Sequence, residues 1–507
     1  MLSYTGHPFV DVGVATITAF SRRTDPSRVS EEDLRTVARY IEDNYTRNPL
    51  RSFLTVAFTS NAWFVQDAYN PDKPDLTDEE RLKRRAARRL WADRHLYSWV
   101  QPALENSPDT CVFTGQAAVG SALSGKLAAG RAGRAQIPLL QGDDNINFYP
   151  GGDTGVPVSG LALLCLQAFP LGCAKVAGSL LAVHADDNRI TYRFARRNLD
   201  RNRRAVSVAQ QSNSDKLEEE KHSLKTLLIG TLLDLQRERD DGGDEGGAPS
   251  SVTAYHVNNG KTPKLDMYFL PMEVSGFLRK VTSARYRADW DGLVSRAWQQ
   301  PPKPSGKAKT VGPFEPRRNY LYEDVLALPS DAAKFLRQYF LRFALRWARG
   351  DDPRGGYSPL TEADLVSWDL TELFLKEVLR MDPGRIDSIR RLADRLGTYV
   401  SNENDRRLFR TLLSERRYWS LRLALIRADL SAVQHGKEPL ITFDQFVEIF
   451  EEGEEVPRRD WTLARDLILI RMIEQLHAYG WLARNVAEIG DVSSLVGDED
   501  GVASAVD

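Results

Sequence analysis

The chain has 507 residues, 42% of them hydrophobic, enough for a large buried core and two to four domains. Its net charge is -2, which excludes a uniformly basic nucleic-acid binder, but the charge is segregated. Three cysteines (Cys111, Cys165 and Cys173) exclude a disulfide framework and point to a reducing compartment.

The first residues lack a basic segment followed by an apolar one, so no signal peptide is expected. The opening Thr5-Gly-His-Pro-Phe-Val-Asp-Val-Gly is rich in turn formers and then apolar. Residues 31–45 read as a helix with Leu34, Val37, Ala38 and Ile41 on one face and Ser30 as N-cap. Residues 53–58 read as a strand. Residues 78–100 read as a long helix, in which positions 81–94 hold seven basic residues against one acid, Asp93. Residues 111–155 are glycine-rich and read as irregular, and 159–169 as helical. The most apolar stretch, 156–183, is broken by Pro170, Gly172, Lys175 and Gly178, so a buried segment rather than a membrane span is expected. The chain reads as cytoplasmic.

Two hairpins are expected next. Residues 180–184 and 190–194 flank Asp186-Asp-Asn, and residues 252–257 and 265–270 flank Asn258-Asn-Gly. The segment 193–204 carries six basic residues against one acid, Asp200. Residues 215–239 read as a helix on Leu217, Leu224, Leu227, Leu228, Leu232 and Leu235. Loops are expected at 240–251 (glycine, acid, serine) and 300–316 (proline, lysine, glycine). Phe335, Leu336, Tyr339, Phe340, Phe343, Ala344 and Trp347 define another helix. Arg349-Gly-Asp-Asp-Pro-Arg-Gly-Gly breaks the pattern, dividing an N-terminal domain, 1–348, from a C-terminal one, 359–487.

That last domain repeats apolar steps of three and four in four runs. They are Leu365, Trp368, Phe374 and Val378; Ile386 to Val400; Leu408, Phe409, Leu412, Leu413, Trp419, Leu423 and Ile426; and Leu467 to Tyr479. Such stripes predict a helical bundle. The fold class is therefore α+β: a mixed N-terminal domain with β-hairpins and long helices, then a C-terminal bundle and a flexible tail, 488–507. Between 385 and 427 the bundle carries eleven arginines against five acids. They face either water or a polyanion.

Catalytic and metal motifs are weak. Gly120-Ser-Ala-Leu-Ser-Gly-Lys126 is followed by Leu127 where a P-loop needs a hydroxyl. Asp143, Asn145 and Asn147 start like a calcium loop, but Phe148 replaces its glycine and Thr154 its final glutamate. The seven histidines are scattered, and His184 in an apolar segment reads as a satisfied core residue. Asn402-Glu-Asn-Asp405 reads as an interhelical turn. Cys111-Val-Phe-Thr lacks the second sulfur of a zinc knuckle. No catalytic residue, metal or cofactor is assigned.

In order along the chain stand Thr5-Gly-His-Pro-Phe-Val-Asp-Val-Gly, Cys111-Val-Phe-Thr-Gly and Asn147-Phe-Tyr-Pro-Gly-Gly-Asp-Thr-Gly-Val-Pro-Val-Ser-Gly. Phe169-Pro-Leu-Gly and Trp461-x-x-Ala-Arg-Asp-Leu-Ile-Leu-Ile-Arg follow. With these motifs the chain resembles the large subunit of type I-B CRISPR surveillance complexes (Cascade), in the branch with paired Cys-x-x-Cys motifs. Here Thr114 replaces one cysteine and the second pair falls on Ser159 and Ala162, so the resemblance implies a knuckle region, about 111–173, that keeps its loops without metal. It also implies a non-catalytic subunit that binds guide RNA and double-stranded target DNA. Such a subunit reads the protospacer-adjacent motif, helps open the duplex, sits with the backbone and guide-5′-end subunits, and recruits a helicase-nuclease. Transposition proteins take that last place in transposon-borne relatives.

Within that expectation the phosphate contacts are Arg84, Arg85, Arg88 and Arg89; Arg196, Arg197, Arg203 and Arg204; and Arg390, Arg391, Arg406, Arg407, Arg416 and Arg417. Gln210, Gln211 and Asn213 are offered as a motif-reading loop, with helix capping as the plainer reading, and Asn61 as a further reader. The bundle looks like the small subunit of such complexes, and an internal start at Met381 would produce it. Two other functions stay open. One is a metal-dependent nuclease or nucleotide hydrolase using Asp143 and Asp144; the other is a helical interaction scaffold.

Overall fold

The computed structural model describes residues 1–59, 62–100, 109–140, 142, 152–241, 248–260, 262–301, 314–343, 348–453 and 456–489. Asn61, the acids at 143–144 and the Asn147 motif up to Gly151 lie outside them, as do the centres of both expected loops and the tail beyond Ile489. The chain divides into two compact units, residues 1–231 with 250–271, and 232–249 with 272–507. The break expected at 349–358 falls inside the second unit. Among the described residues, no helix is long and apolar enough to cross a membrane.

The first unit opens with α1 (Pro8–Phe20), whose residues Phe9 to Thr18 are all buried. Its approach is set by Asp11, which accepts hydrogen bonds from the Thr5 N–H (2.6 Å), the Thr5 hydroxyl (2.9 Å) and the Gly6 N–H (2.9 Å). These fold the opening turn back onto the helix. α2 (Glu31–Asn44) starts at a reciprocal capping box between Ser30 and Asp33. Residues 53–58 are not a strand: α3 (Leu50–Leu54) and a turn occupy them, with Phe53, Leu54, Ala57 and Phe58 buried at helical steps. α4 (Asp78–His95) begins at a second capping box, Thr77 with Glu80. The segment 111–155 is mostly irregular as expected. Two short strands, β1 (Arg131–Ala132) and β2 (Val156–Pro157), pair its middle with the residues that follow it.

α5 (Gly160–Ala168) is capped by Ser159 and buried nearly throughout. α1 crosses it so closely that a Cβ at Gly13 would stand 2.1 Å from the Cys165 carbonyl oxygen. β3 (Ala174–Val176) and β4 (Ser179–Ala185) lead to α6 (Asn188–Gln211) and α7 (Leu224–Asp241), the latter divided between the units after Thr231. The expected first hairpin is therefore half wrong. Residues 190–194 open α6, because Asp187 caps it and Ile190 and Phe194 share a buried face with Leu199, Val206 and Ala209. α7 starts at Leu224, not at Asp215. The second hairpin is as expected: β5 (Val252–Asn258) and β6 (Lys264–Leu270) complete an antiparallel sheet of order β3-β4-β5-β6. His184 is satisfied by Asp11 at 3.1 Å.

The second unit contains α8 (Met272–Val281), α9 (Arg287–Arg296), α10 (Tyr320–Val325) and α11 (Ala332–Phe335). The helix expected over 335–347 is shorter; α11 passes into a single π turn at Leu336–Phe340, and 344–347 lie outside the described residues. The bundle follows: α12 (Trp368–Glu377), α13 (Pro383–Glu403), α14 (Arg406–Ser414), α15 (Tyr418–Gln434), α16 (Phe443–Phe450), α17 (Trp461–Ala478) and α18 (Trp481–Ile489). α17 is its axis, with Ala464 to Ile470, Met472, Ile473 and Leu476 buried. The fold is α+β with a helical C-terminal region. One predicted core run is corrected: Trp419, Leu423 and Ile426 point outward, exposed at 57%, 45% and 44%.

Candidate nucleic-acid interface

The three arginine groups differ in what they can offer. On α4 most of the charge is already engaged. Arg84 Nη1 donates to the Asn70 carbonyl at 3.2 Å. Arg88 is buried, its Nη2 3.7 Å from Asp43. Arg89 lies over the Tyr97 ring at 4.5 Å and bridges Glu42 (3.3 Å) and Asp93 (2.9 Å). Burial raises the Glu42 carboxyl above its ordinary value, partly offset by Arg89 and Tyr97. Arg85 alone of the four is exposed without such a role. Three of the four arginines expected to contact phosphate on α4 thus already have partners within the chain.

α6 is different. Its inward face is fixed by the apolar row and by Asn202, whose Nδ2 donates to the carbonyls of Leu171 (3.0 Å) and Cys173 (2.8 Å). The opposite face must therefore look outward. Arg196, Arg197, Arg203 and Arg204 are all exposed on it. At 1.5 Å per residue they span about 12 Å, comparable to about three phosphates of one strand along a duplex axis. Arg203 is steadied over the Phe20 ring at 4.7 Å.

Gln210 and Gln211 are exposed, but they form the last turn of α6 rather than a loop. Asn213 is left-handed at φ 52°. The Ser214 N–H returns to the Ala209 carbonyl (2.8 Å), and the Asn213 N–H to that of Gln210 (3.4 Å). This is a Schellman C-cap, which accounts for the left-handed backbone of Asn213.

In the bundle, Arg391 pairs with Asp387 at 3.1 Å and Arg406 with Glu488. Arg390, Arg407, Arg416 and Arg417 are exposed. Glu415 Oε1 accepts the backbone N–H groups of Arg416 (3.0 Å) and Arg417 (2.9 Å), which holds that pair at the entrance to α15.

Sequence reasoning missed a cleft of about 1300 Å³ in the first unit. Trp63, Trp91, Arg94, His95, Lys126 and Arg134 line it among others. Trp91 is sandwiched between Trp63 (centroids 4.4 Å) and His95 (4.2 Å). Burial lowers the His95 pKa to about 4, leaving the imidazole neutral at pH 7, and its Nδ1 lies 3.0 Å from the Trp91 carbonyl. Arg94 and Lys126 are exposed on the rim, while Arg134 is held by Asn259 (3.3 Å) and Gly260 (3.1 Å). Lys126 ends the imperfect P-loop sequence, which here has neither a strand before it nor a helix after it. The cationic rim suits an anion, while both faces of Trp91 are covered and leave no stacking surface there. Its only local sequence signal was the basic and aromatic composition of α4.

Two of the four knuckle positions meet. Thr114 Oγ1 is 3.1 Å from Ser159 Oγ, and Ser159 caps α5 by accepting the Ala162 N–H at 3.4 Å. Cys111 is buried, with its N–H on the Gln116 carbonyl at 2.7 Å. One thiol, two hydroxyls and a methyl are not a zinc donor set. Among the described residues there is no group of three or more His, Cys, Asp or Glu side chains placed to hold a metal.

Comparison of this chain with protein-family models, curated proteins and solved structures finds no match.

Proposed function

We propose that this chain is a non-catalytic large subunit of an RNA-guided type I CRISPR surveillance complex, gripping guide RNA and target DNA through phosphate contacts. The observation that carries the reading is the outward row Arg196, Arg197, Arg203 and Arg204 on α6, an exposed basic ridge on a molecule of near-zero net charge. The convergence of Thr114 with Ser159, where the resembled family places its cysteine pairs, supports the same reading. In it, guide–target pairing reads sequence while the protein reads backbone and a short adjacent motif. Guide-end and backbone subunits hold it in the particle. A helicase-nuclease, or transposition proteins, act after the duplex opens.

Binding of duplex and single-stranded nucleic acid is measured against salt for the wild type and Arg196→Glu/Arg204→Glu. The expected result is weaker binding across sequences, with the slope of log K against log salt shallower by about one per lost contact. Unchanged affinity and slope would remove α6 from the interface.

A further inference from the structure

α15 is apolar on two opposite sides. Tyr418, Leu421, Leu425, Ala428 and Ala432 are buried in the bundle. On the other side Trp419, Leu423, Ile426, Leu430 and Val433 are exposed at 44–57%. Their spacing of four, three, four and three is the heptad seam of a coiled coil. It runs for about 21 Å along the helix. A stripe of five large apolar side chains is a costly surface for a lone protein to present to water, and it marks an interaction site.

The flanks of the seam state what fits there. Arg422 lies on one side and Arg427 on the other, with Arg416 and Arg417 at its N-terminal end. The Arg422 guanidinium sits 5.4 Å from the Trp419 ring centroid and 5.7 Å from that of Phe446, fixing its place beside the seam. The acid that α15 itself places beside the seam, Asp429, already accepts the N–H groups of Leu440 (2.6 Å) and Ile441 (3.3 Å) at its Oδ1. A second copy of α15 would set guanidinium against guanidinium. A lipid surface would want a broad apolar face, whereas here the far side of the helix is committed to the bundle core.

We propose that this face of α15 seats an amphipathic helix of a partner protein, apolar on one side and acidic along both flanks. Flanking charges choose the partner and its register, and the seam supplies the buried area. This docking site is independent of any phosphate contact on α6.

The test uses the whole chain and two synthetic helical peptides of about three heptads, both with Leu along the seam. One carries Glu at the flanking positions, the other Lys. The Glu peptide is expected to bind and the Lys peptide to fail. Leu423→Glu is expected to weaken binding at least about tenfold, with the thermal melt unchanged because the side chain points outward. Arg422→Glu/Arg427→Glu is expected to transfer the preference to the Lys peptide. The proposal is overturned if neither peptide binds. It is equally overturned if the chain dimerises by itself through a contact that Leu423→Glu abolishes. Seam-dependent capture of anionic vesicles without any peptide preference is the third overturning result.

Discussion

Thr114 and Ser159 stand 45 residues apart in sequence, yet their hydroxyl oxygens are 3.1 Å apart. The pair joins the turn after Cys111 to the first turn of α5. One neutral hydrogen bond contributes about 1 kcal/mol. Thr114→Val is therefore expected to lower stability by about that amount in a urea melt, without loosening α5, since Ser159 keeps its cap on the Ala162 N–H.

Cysteines at Thr114, Ser159 and Ala162 would complete a four-thiol donor set with Cys111. Thr114→Cys/Ser159→Cys/Ala162→Cys, together with Cys111, is expected to bind near-stoichiometric zinc where the unaltered chain does not. Metal analysis after dialysis reads this directly. A triple variant that folds and stays metal-free would show that these positions do not stand in ligand geometry.

Much of the scaffold was legible because its signals are local. Ser30 with Asp33 and Thr77 with Glu80 mark helix starts by capping chemistry that is read within four residues. Asn258-Asn-Gly marked the β5–β6 turn, although its structural weight comes from Asn259, which is fully buried and donates to the Ala57 carbonyl at 3.1 Å. Ile190-Thr-Tyr-Arg-Phe misled because its alternation mimics a strand over five residues. Only the continuation through Leu199 and Val206 reveals the helical period. The α15 seam was read as core because two opposite apolar stripes merge into one composition. The cleft was illegible, since Trp63, Trp91, Lys126 and Arg134 come from separate segments. Likewise, no sequence count could tell Arg89, spent on Glu42 and Tyr97, from Arg204, which is exposed.

Asp11 sets one pH dependence. Burial alone would push its carboxyl up, but hydrogen bonds from His184, Thr5 and Gly6 outweigh it and hold the pKa below the ordinary 3.8. Its contribution is fully present above the unfolded value and is lost as pH falls through the lower folded value. Asp11→Asn is expected to cost about 2–3 kcal/mol at neutral pH. The gap from wild type should hold down to about pH 4 and narrow only in stronger acid, as measured by urea melts at stepped pH.

His95 sets a second, in a different window. Its folded pKa is about 4 against 6.5 unfolded, so between those values the unfolded chain binds the proton more readily. Stability is expected to fall as pH drops from 6.5 towards 4, by on the order of 3 kcal/mol in all. His95→Phe keeps a ring against Trp91 but cannot titrate. The variant should therefore lose this slope while retaining the one from Asp11.

Met381 lies in the link between α12 and α13, its N–H on the Leu375 carbonyl at 3.0 Å. A product starting there would keep α13 to α18 and lose α12. The retained helices carry their own core: Ile389, Leu392, Leu396 and Val400 on α13, and Leu467, Ile470 and Ile473 on α17, are all fully buried. What goes includes the packing of α12, the Trp368 N–H bond to Glu474 (2.9 Å) and the ion pair of Arg337 with buried Asp466 (2.5 Å). The fragment 381–507 is expected to be helical and to unfold cooperatively, at lower urea than the bundle in the full chain. In cells, a band of that size should accompany the full-length protein and vanish with Met381→Leu, a substitution of nearly conserved volume that leaves the full chain stable to within about 1 kcal/mol. Persistence of the band in that variant would mean that proteolysis, not initiation, produces it.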